Sequence, residues 1–171
     1  MRVGDLLCMT LRLGARCGLL RGRRATDWYE QGYALEATDP VAAIAAYQRA
    51  IAGRPDLADA HNNLGRLLHE ARDLPAAEGH YRLALCAAPD VALYWFNLGV
   101  ALEDLGRIAE AIAAYEHALA LDAAFADAHF NIARLLERVG RSGNDVVIHS
   151  AVRHLVRYRD LTRSTAARSR S

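Results

Sequence analysis

Lysine is missing from this sequence: all 21 basic residues of the 171 are arginine. A GC-rich genome produces that bias unaided, so no chemistry is read from it. Proline is scarce, with four in the chain, and alanine is abundant, which favours helix over strand through the middle. The three cysteines, Cys8, Cys17 and Cys86, are an odd number without CxxC spacing. That argues against a disulfide framework and a zinc site, and makes a reducing compartment, the cytoplasm, the expectation. No window approaches the roughly 18 uninterrupted apolar residues of a membrane span. The most apolar stretch, VALYWFNLGVAL at 91–102, contains Asn97. Catalytic signatures are missing as well, with no glycine-rich phosphate loop and no GxSxG. His69 and Glu70 open HEARD, which lacks the second histidine of HExxH.

Charge is abundant but unevenly spread. Residues 27–140 carry 17 acids against 8 arginines, while residues 1–26 and 141–171 each have a balance of +5. An acidic body repels phosphate backbones, so direct nucleic-acid binding is not expected of the middle. The N-terminal MRVGDLLCMTLRLGARCGLLRGRR is interrupted by Asp5, Arg12 and Arg16, and so has no secretory apolar stretch. Its composition is that of an arginine-rich transit peptide, and a leftover or misassigned start fits it equally. Residues 1–24 are taken as a basic flexible segment and 163–171, including STAARSRS, as a basic tail. Mobility is expected over 1–20 and 163–171.

What fills the middle is a repeat. ADAH at 58 returns at 126, and NLG at 63 returns at 97, so the period is 34 residues. In this register Asn63, Asn97 and Asn131 coincide, as do Leu68, Leu102 and Leu136, and in the second halves Ala77 falls on Ala111 and Tyr81 on Tyr115. Each unit holds two amphipathic patterns. Trp95, Leu98, Ala101, Leu102 and Leu105 recur at steps of three and four before Gly106, and Ile108, Ala111, Ile112, Tyr115, Ala118 and Leu119 follow on one face of a second helix. Gly99 and Ala111 would let the two helices approach closely, and bulk there would cost roughly 1–3 kcal/mol. Pro55 and Pro89 mark the ends of hairpins.

These residues make the sequence resemble a tetratricopeptide repeat protein, with about four tandem repeats. The signature W-x2-L-G-x2-Y, A-x3-F, P is matched by Trp95, Leu98, Gly99, Leu102, Ala111 and Tyr115, with Ala123 in place of proline. The preceding unit has His61, Leu64, Gly65, Leu68, Ala77, Tyr81 and Pro89. The first has Trp28, Gly32, Leu35, Ala43, Tyr47, Ala50 and Pro55, with a turn, EATDP, that is one residue short. The fourth begins with His129, Ile132, Ala133 and Leu136, but about six extra residues, within SGNDVVIHS, precede AVRHLVRYRDL. Repeats are placed at 25–57, 58–91, 92–125 and 126–162. His61 and His129 are read as packing substitutes for the tryptophans.

The resemblance implies an all-α, right-handed α-solenoid of stacked antiparallel helical hairpins. Such a protein is a scaffold or adaptor whose first helices line a concave groove for a partner protein or extended peptide. It implies no enzyme: no catalytic residue, metal or cofactor, and no small-molecule substrate or membrane partner. The groove residues expected are Tyr29, Tyr33, Asn62, Asn63, Arg66, Phe96, Asn97, Glu103, Phe130, Asn131 and Arg134, with Glu36, His69, Glu70, Val100, Asp104, Glu137 and Arg138 nearby. The row Asn63, Asn97, Asn131 resembles the asparagine ladder of O-linked N-acetylglucosamine transferases, whose amides hold a peptide backbone; capping of local backbone is the alternative. Phe96 and Phe130 would receive apolar side chains unless they are packing core. Glu103, Asp104 and Glu137 would favour a basic ligand. With no lysine, the carboxylate clamp of the chaperone-binding branch is not expected. The second function considered is a truncated accessory domain of a bacterial DNA-binding regulator or of a glycosyltransferase.

Overall fold

Two aspartates set the turn inside the first two hairpins. Asp39 Oδ1 accepts the Ala42 N–H at 3.0 Å just before Pro40, and Asp73 Oδ1 accepts the Ala76 N–H at 3.3 Å before Pro75. Each cap satisfies a donor that the helix leaves open, and each proline sits in the first turn, where its missing N–H does no harm. The computed structural model describes residues 24–140 and 145–168, which form eight helices and no strand. They are α1 (Ala25–Leu35), α2 (Pro40–Gly53), α3 (Ala58–Glu70), α4 (Leu74–Ala87), α5 (Ala92–Asp104), α6 (Ile108–Leu121), α7 (Ala126–Gly140) and α8 (Asp145–Arg168).

Consecutive helices pair as four antiparallel hairpins, and each second helix then packs on the first helix of the next hairpin, α2 on α3, α4 on α5 and α6 on α7. The stack is a right-handed α-solenoid, as the repeat implied. Its hairpins close through one recurring fit. A Cβ added at Gly32, Gly65 or Gly99 would lie 2.8, 2.9 or 2.6 Å from the ring of Tyr47, Tyr81 or Tyr115. The glycines therefore admit a buried tyrosine ring against the helix backbone, and the fully buried Ala43, Ala77 and Ala111 line the facing helices. The turns of hairpins two and three hold a left-handed residue at equivalent places, Arg72 (φ 65) and Gly106 (φ 76).

The starts of α3, α5 and α7 are each fastened by a ring nitrogen. Trp95 Nε1 donates to the Pro89 carbonyl at 2.8 Å; His61 Nε2 lies 3.1 Å from the Pro55 carbonyl, and His129 Nε2 lies 3.3 Å from that of Ala123. Histidine thus replaces tryptophan in packing and in hydrogen bonding. The facing positions of the second helices alternate as well, with Ala46, His80 and Ala114 one period apart and His154 at the equivalent place beyond the extra residues of hairpin four. Tryptophan goes with alanine in hairpins one and three, and histidine with histidine in hairpins two and four. This alternation is why the histidine that closes ADAH recurs after two periods and not after one.

Two sequence expectations are adjusted and a third goes untested. The final helix runs on to Arg168, so the stretch read as tail from residue 163 begins as helix. Cys86 is disulfide-bonded; an odd cysteine count still permits one bridge, so the argument against disulfides fails at this position. The mobility expected of residues 1–20 also lies outside the described residues.

Candidate ligand groove

The first helices α3 and α5 approach one another directly. This places the first helices on the inner side of the curve, where solenoids of this kind present their binding surface. Along that side the structure gathers many of the expected residues into two equivalent clusters, each built around the tyrosine that closes a hairpin.

In the first cluster Tyr47 Oη donates to Glu36 Oε1 at 2.5 Å and accepts from Asn63 Nδ2 at 3.2 Å, while Arg66 contacts Glu36 at 2.5 Å and Glu70 at 2.6 Å. In the second, Tyr115 Oη lies 3.4 Å from Glu103 Oε2 and meets the Asn131 side chain, while Arg134 contacts Glu103 at 2.8 Å. Burial raises the pKa of both phenols, and the adjacent carboxylates raise it further, so both hydroxyls stay protonated as donors. The equivalent place in α5 is taken by Val100, which leaves an apolar stretch of Leu93, Phe96 and Val100 between the two arginine clusters.

Asn62, only 5% exposed, links neighbouring hairpins: its Nδ2 donates to Asn63 Oδ1 at 3.1 Å and its Oδ1 accepts from Asn97 Nδ2 at 2.8 Å. The asparagine row therefore bonds to side chains, to Asn62 and to the tyrosines, and not to local backbone. The acids expected to attract a basic ligand are engaged as well. Glu103 also has Arg138 at 3.8 Å, and Asp104 accepts from His69 at 3.0 Å and Arg72 at 2.9 Å. Glu137 borders a hollow of about 300 Å³ with Gly140, Ile148, Ala151, Val152 and Leu155, at the last hairpin.

The aromatic residues divide by exposure. Tyr29 is half-buried against Tyr47, with ring centroids 5.7 Å apart, and Phe96 is half-buried between Tyr115 (5.5 Å) and Phe125 (4.8 Å). Tyr33 is 66% exposed, and Phe130 is 41% exposed with its ring 5.2 Å from Tyr158. Sequence reasoning missed the tyrosine hydroxyls and the arginine–glutamate pairs as groove organisers. The shared register of Glu36, Tyr47, Asn63 and Arg66 with Glu103, Tyr115, Asn131 and Arg134 is the signal that could have found them.

Among the described residues no three His, Cys, Asp or Glu gather as a metal site, and no helix is long and apolar enough to cross a membrane. A family model described as TPR repeat matches residues 42–71 and 103–140. A crystal structure of MamA superposes with a TM-score of 0.77 at 18% identity, covering 98% of both chains. A MamA structure from Desulfovibrio magneticus RS-1 gives 0.72 at 21% identity, covering 94% of this chain and 86% of that one. The first TPR of Spaghetti (RPAP3), bound to the HSP90 peptide SRMEEVD, gives 0.66 at 19% identity, covering 68% of this chain and 94% of that one. At these identities the likeness is one of fold. No curated protein matches the sequence.

Proposed function

This chain is a tetratricopeptide repeat protein of four tandem hairpins, and from that premise we propose that it is a protein-interaction scaffold which holds an extended peptide segment of its partner along the first helices. One observation carries this reading. The inner side leaves large apolar groups open, Tyr33, Leu93 and Phe130, while its charged groups compensate one another. Apolar side chains of a ligand would then supply the binding energy, with Leu93, Phe96 and Val100 at the centre of the track, and the Tyr–Glu–Arg–Asn clusters would keep the track rigid. A similar fold holds a peptide in the Spaghetti complex, which supports a peptide as the ligand class.

The asparagine amides play a lesser part in this reading than a peptide-holding ladder would give them, because Asn62, Asn63 and Asn97 are bonded to one another and to Tyr47. Preference for a basic ligand is likewise weak, since Glu36, Glu103 and Asp104 each face a cation. Titrating isotope-labelled protein with peptides selected from a random library tests the reading by nuclear magnetic resonance. Shifts should concentrate on α3, α5 and α7; shifts confined to α2, α4 and α6 would contradict it.

A further inference from the structure

In hairpin two the Nδ1 atoms of His61 and His80 are 3.0 Å apart, with ring centroids at 5.3 Å. In hairpin four His129 and His154 repeat the contact at 2.8 Å and 5.0 Å. The two pairs are separated by 19 and 25 residues in sequence; the six extra residues of hairpin four go mostly into a longer α7 and an earlier start of α8, not into the turn as the sequence suggested, and the contact is kept.

The proton positions follow from the surroundings. Nε2 of His61 faces the Pro55 carbonyl and Nε2 of His129 faces the Ala123 carbonyl. A carbonyl only accepts, so each Nε2 carries a proton, and in the neutral ring Nδ1 is then a lone pair. His80 and His154 must supply the Nδ1–H, which puts one proton between the two nitrogens of each pair. One added proton is tolerated: the first ring becomes an imidazolium that donates Nδ1–H, and its partner moves its own proton to Nε2. A second added proton leaves no acceptor. Two Nδ1–H groups and two positive charges then oppose one another at about the contact distance, inside a half-buried hairpin.

We propose that the two His–His pairs are acid-released latches, which hold hairpins two and four closed at neutral pH and part when both rings of a pair are protonated. Burial holds the pKa of His61 below its ordinary value; burial and the charge of His61 push His80 down to about 4; burial, His129 and Arg153 lower His154. The acids on the same two helices of hairpin two are turned elsewhere. Asp59 of α3 accepts from Tyr94 of α5, Glu70 of α3 pairs with Arg66, and Glu78 of α4 pairs with Arg82 of α4 and Arg107 at the start of α6; in hairpin four Asp127 stands in the first turn of α7, Glu137 borders the hollow beside Ile148 and Leu155, and Asp160 of α8 pairs with Arg159. A depressed base binds more protons when unfolded. Its contribution to stability is therefore whole above the unfolded value, about 6.5, and is lost as pH falls toward the folded one. Hairpins one and three hold tryptophan and alanine at these places and have no His–His pair; in hairpin three Trp95 stacks on His117, with ring centroids 4.4 Å apart.

That alternation supplies the control. The variant His61→Trp, His80→Ala, His129→Trp, His154→Ala gives the latched hairpins the tryptophan and alanine that the others hold at these places, although the residues that cover those tryptophans, Arg49 on Trp28 and His117 on Trp95, are Leu83 and Arg157 there. Thermal melts of both proteins from pH 7.5 to 4.5 should show the wild type losing roughly 5 °C or more relative to the variant. Parallel melting curves would overturn the proposal. If the variant does not fold, nitrogen shifts of the wild-type imidazoles decide instead. Nδ1-protonated His80 and His154 with apparent pKa values below the free range support the latch, and rings that titrate near 6.5 overturn it.

Discussion

His61 and Trp95 stand 34 residues apart and make the same contact, each donating a ring N–H to the carbonyl six residues before it, of Pro55 at 3.1 Å and of Pro89 at 2.8 Å. The facing helix differs with the ring: His61 meets His80, whose equivalent in the next hairpin is Ala114, and Trp95 stacks on His117 one turn further on. Changing His61 to Trp alone should overfill hairpin two and destabilise the protein by about 1–3 kcal/mol. Adding His80→Ala should restore most of that loss. Denaturant melts of the two single variants and the double variant measure the coupling, and simple additivity would show that the two positions do not share space.

Gly99→Ala puts a methyl group 2.6 Å from the buried Tyr115 ring. The ring is fully buried and has little room to retreat. A loss of about 1–3 kcal/mol is expected in a urea melt, against near neutrality for Gly79→Ala, whose Cβ would meet nothing within 4 Å.

Gly106 sits at φ +76 with open space around it, so a side chain there costs conformational energy alone. Gly106→Ala should lower stability by about 1–2 kcal/mol. Arg72 holds the same position in the preceding turn and already bears that strain, so Arg72→Gly should lose little despite its contact with Asp104, because an exposed pair contributes only about 0–1 kcal/mol.

Glu103 is 12% exposed and faces both Tyr115 and Arg134. Glu103→Ala leaves a buried hydroxyl and a guanidinium without their acceptor and should cost about 1–3 kcal/mol in a chemical melt. Asp56→Ala, which removes a partner of Arg54 at the exposed surface, should change almost nothing.

The repeat was legible because packing imposes it locally. Glycines that admit a tyrosine ring, alanines between helices and prolines at hairpin ends all fall at a fixed spacing, whatever the chain binds. The His–His pairs were harder to see, because each joins two helices and the extra residues between Gly140 and Ala151 shift His154 out of simple register. The asparagine row was visible but the partners of its amides were not, since these depend on the neighbour Asn62 and on hydroxyls from another helix. The contact of Phe96 with Phe125, which precedes α7 in the next hairpin, was not legible either, and it leaves the Phe96 ring half-buried with one side open to the track. The bridge at Cys86 depends on a contact that cysteine spacing does not encode.

The groove is tested most directly by the affinity of a library-selected peptide for the wild type and for Phe130→Ala, measured by calorimetry beside the melting temperature of each protein. Phe130 is 41% exposed and rests on Tyr158, so its truncation should leave the hairpin folded. An aromatic anchor typically contributes about 2 kcal/mol to binding, and the variant should therefore bind roughly thirtyfold more weakly with its melting temperature little changed. Unchanged affinity in Phe130→Ala, together with loss of binding on substitution of exposed residues of α2, α4 or α6, would contradict a ligand track along the first helices.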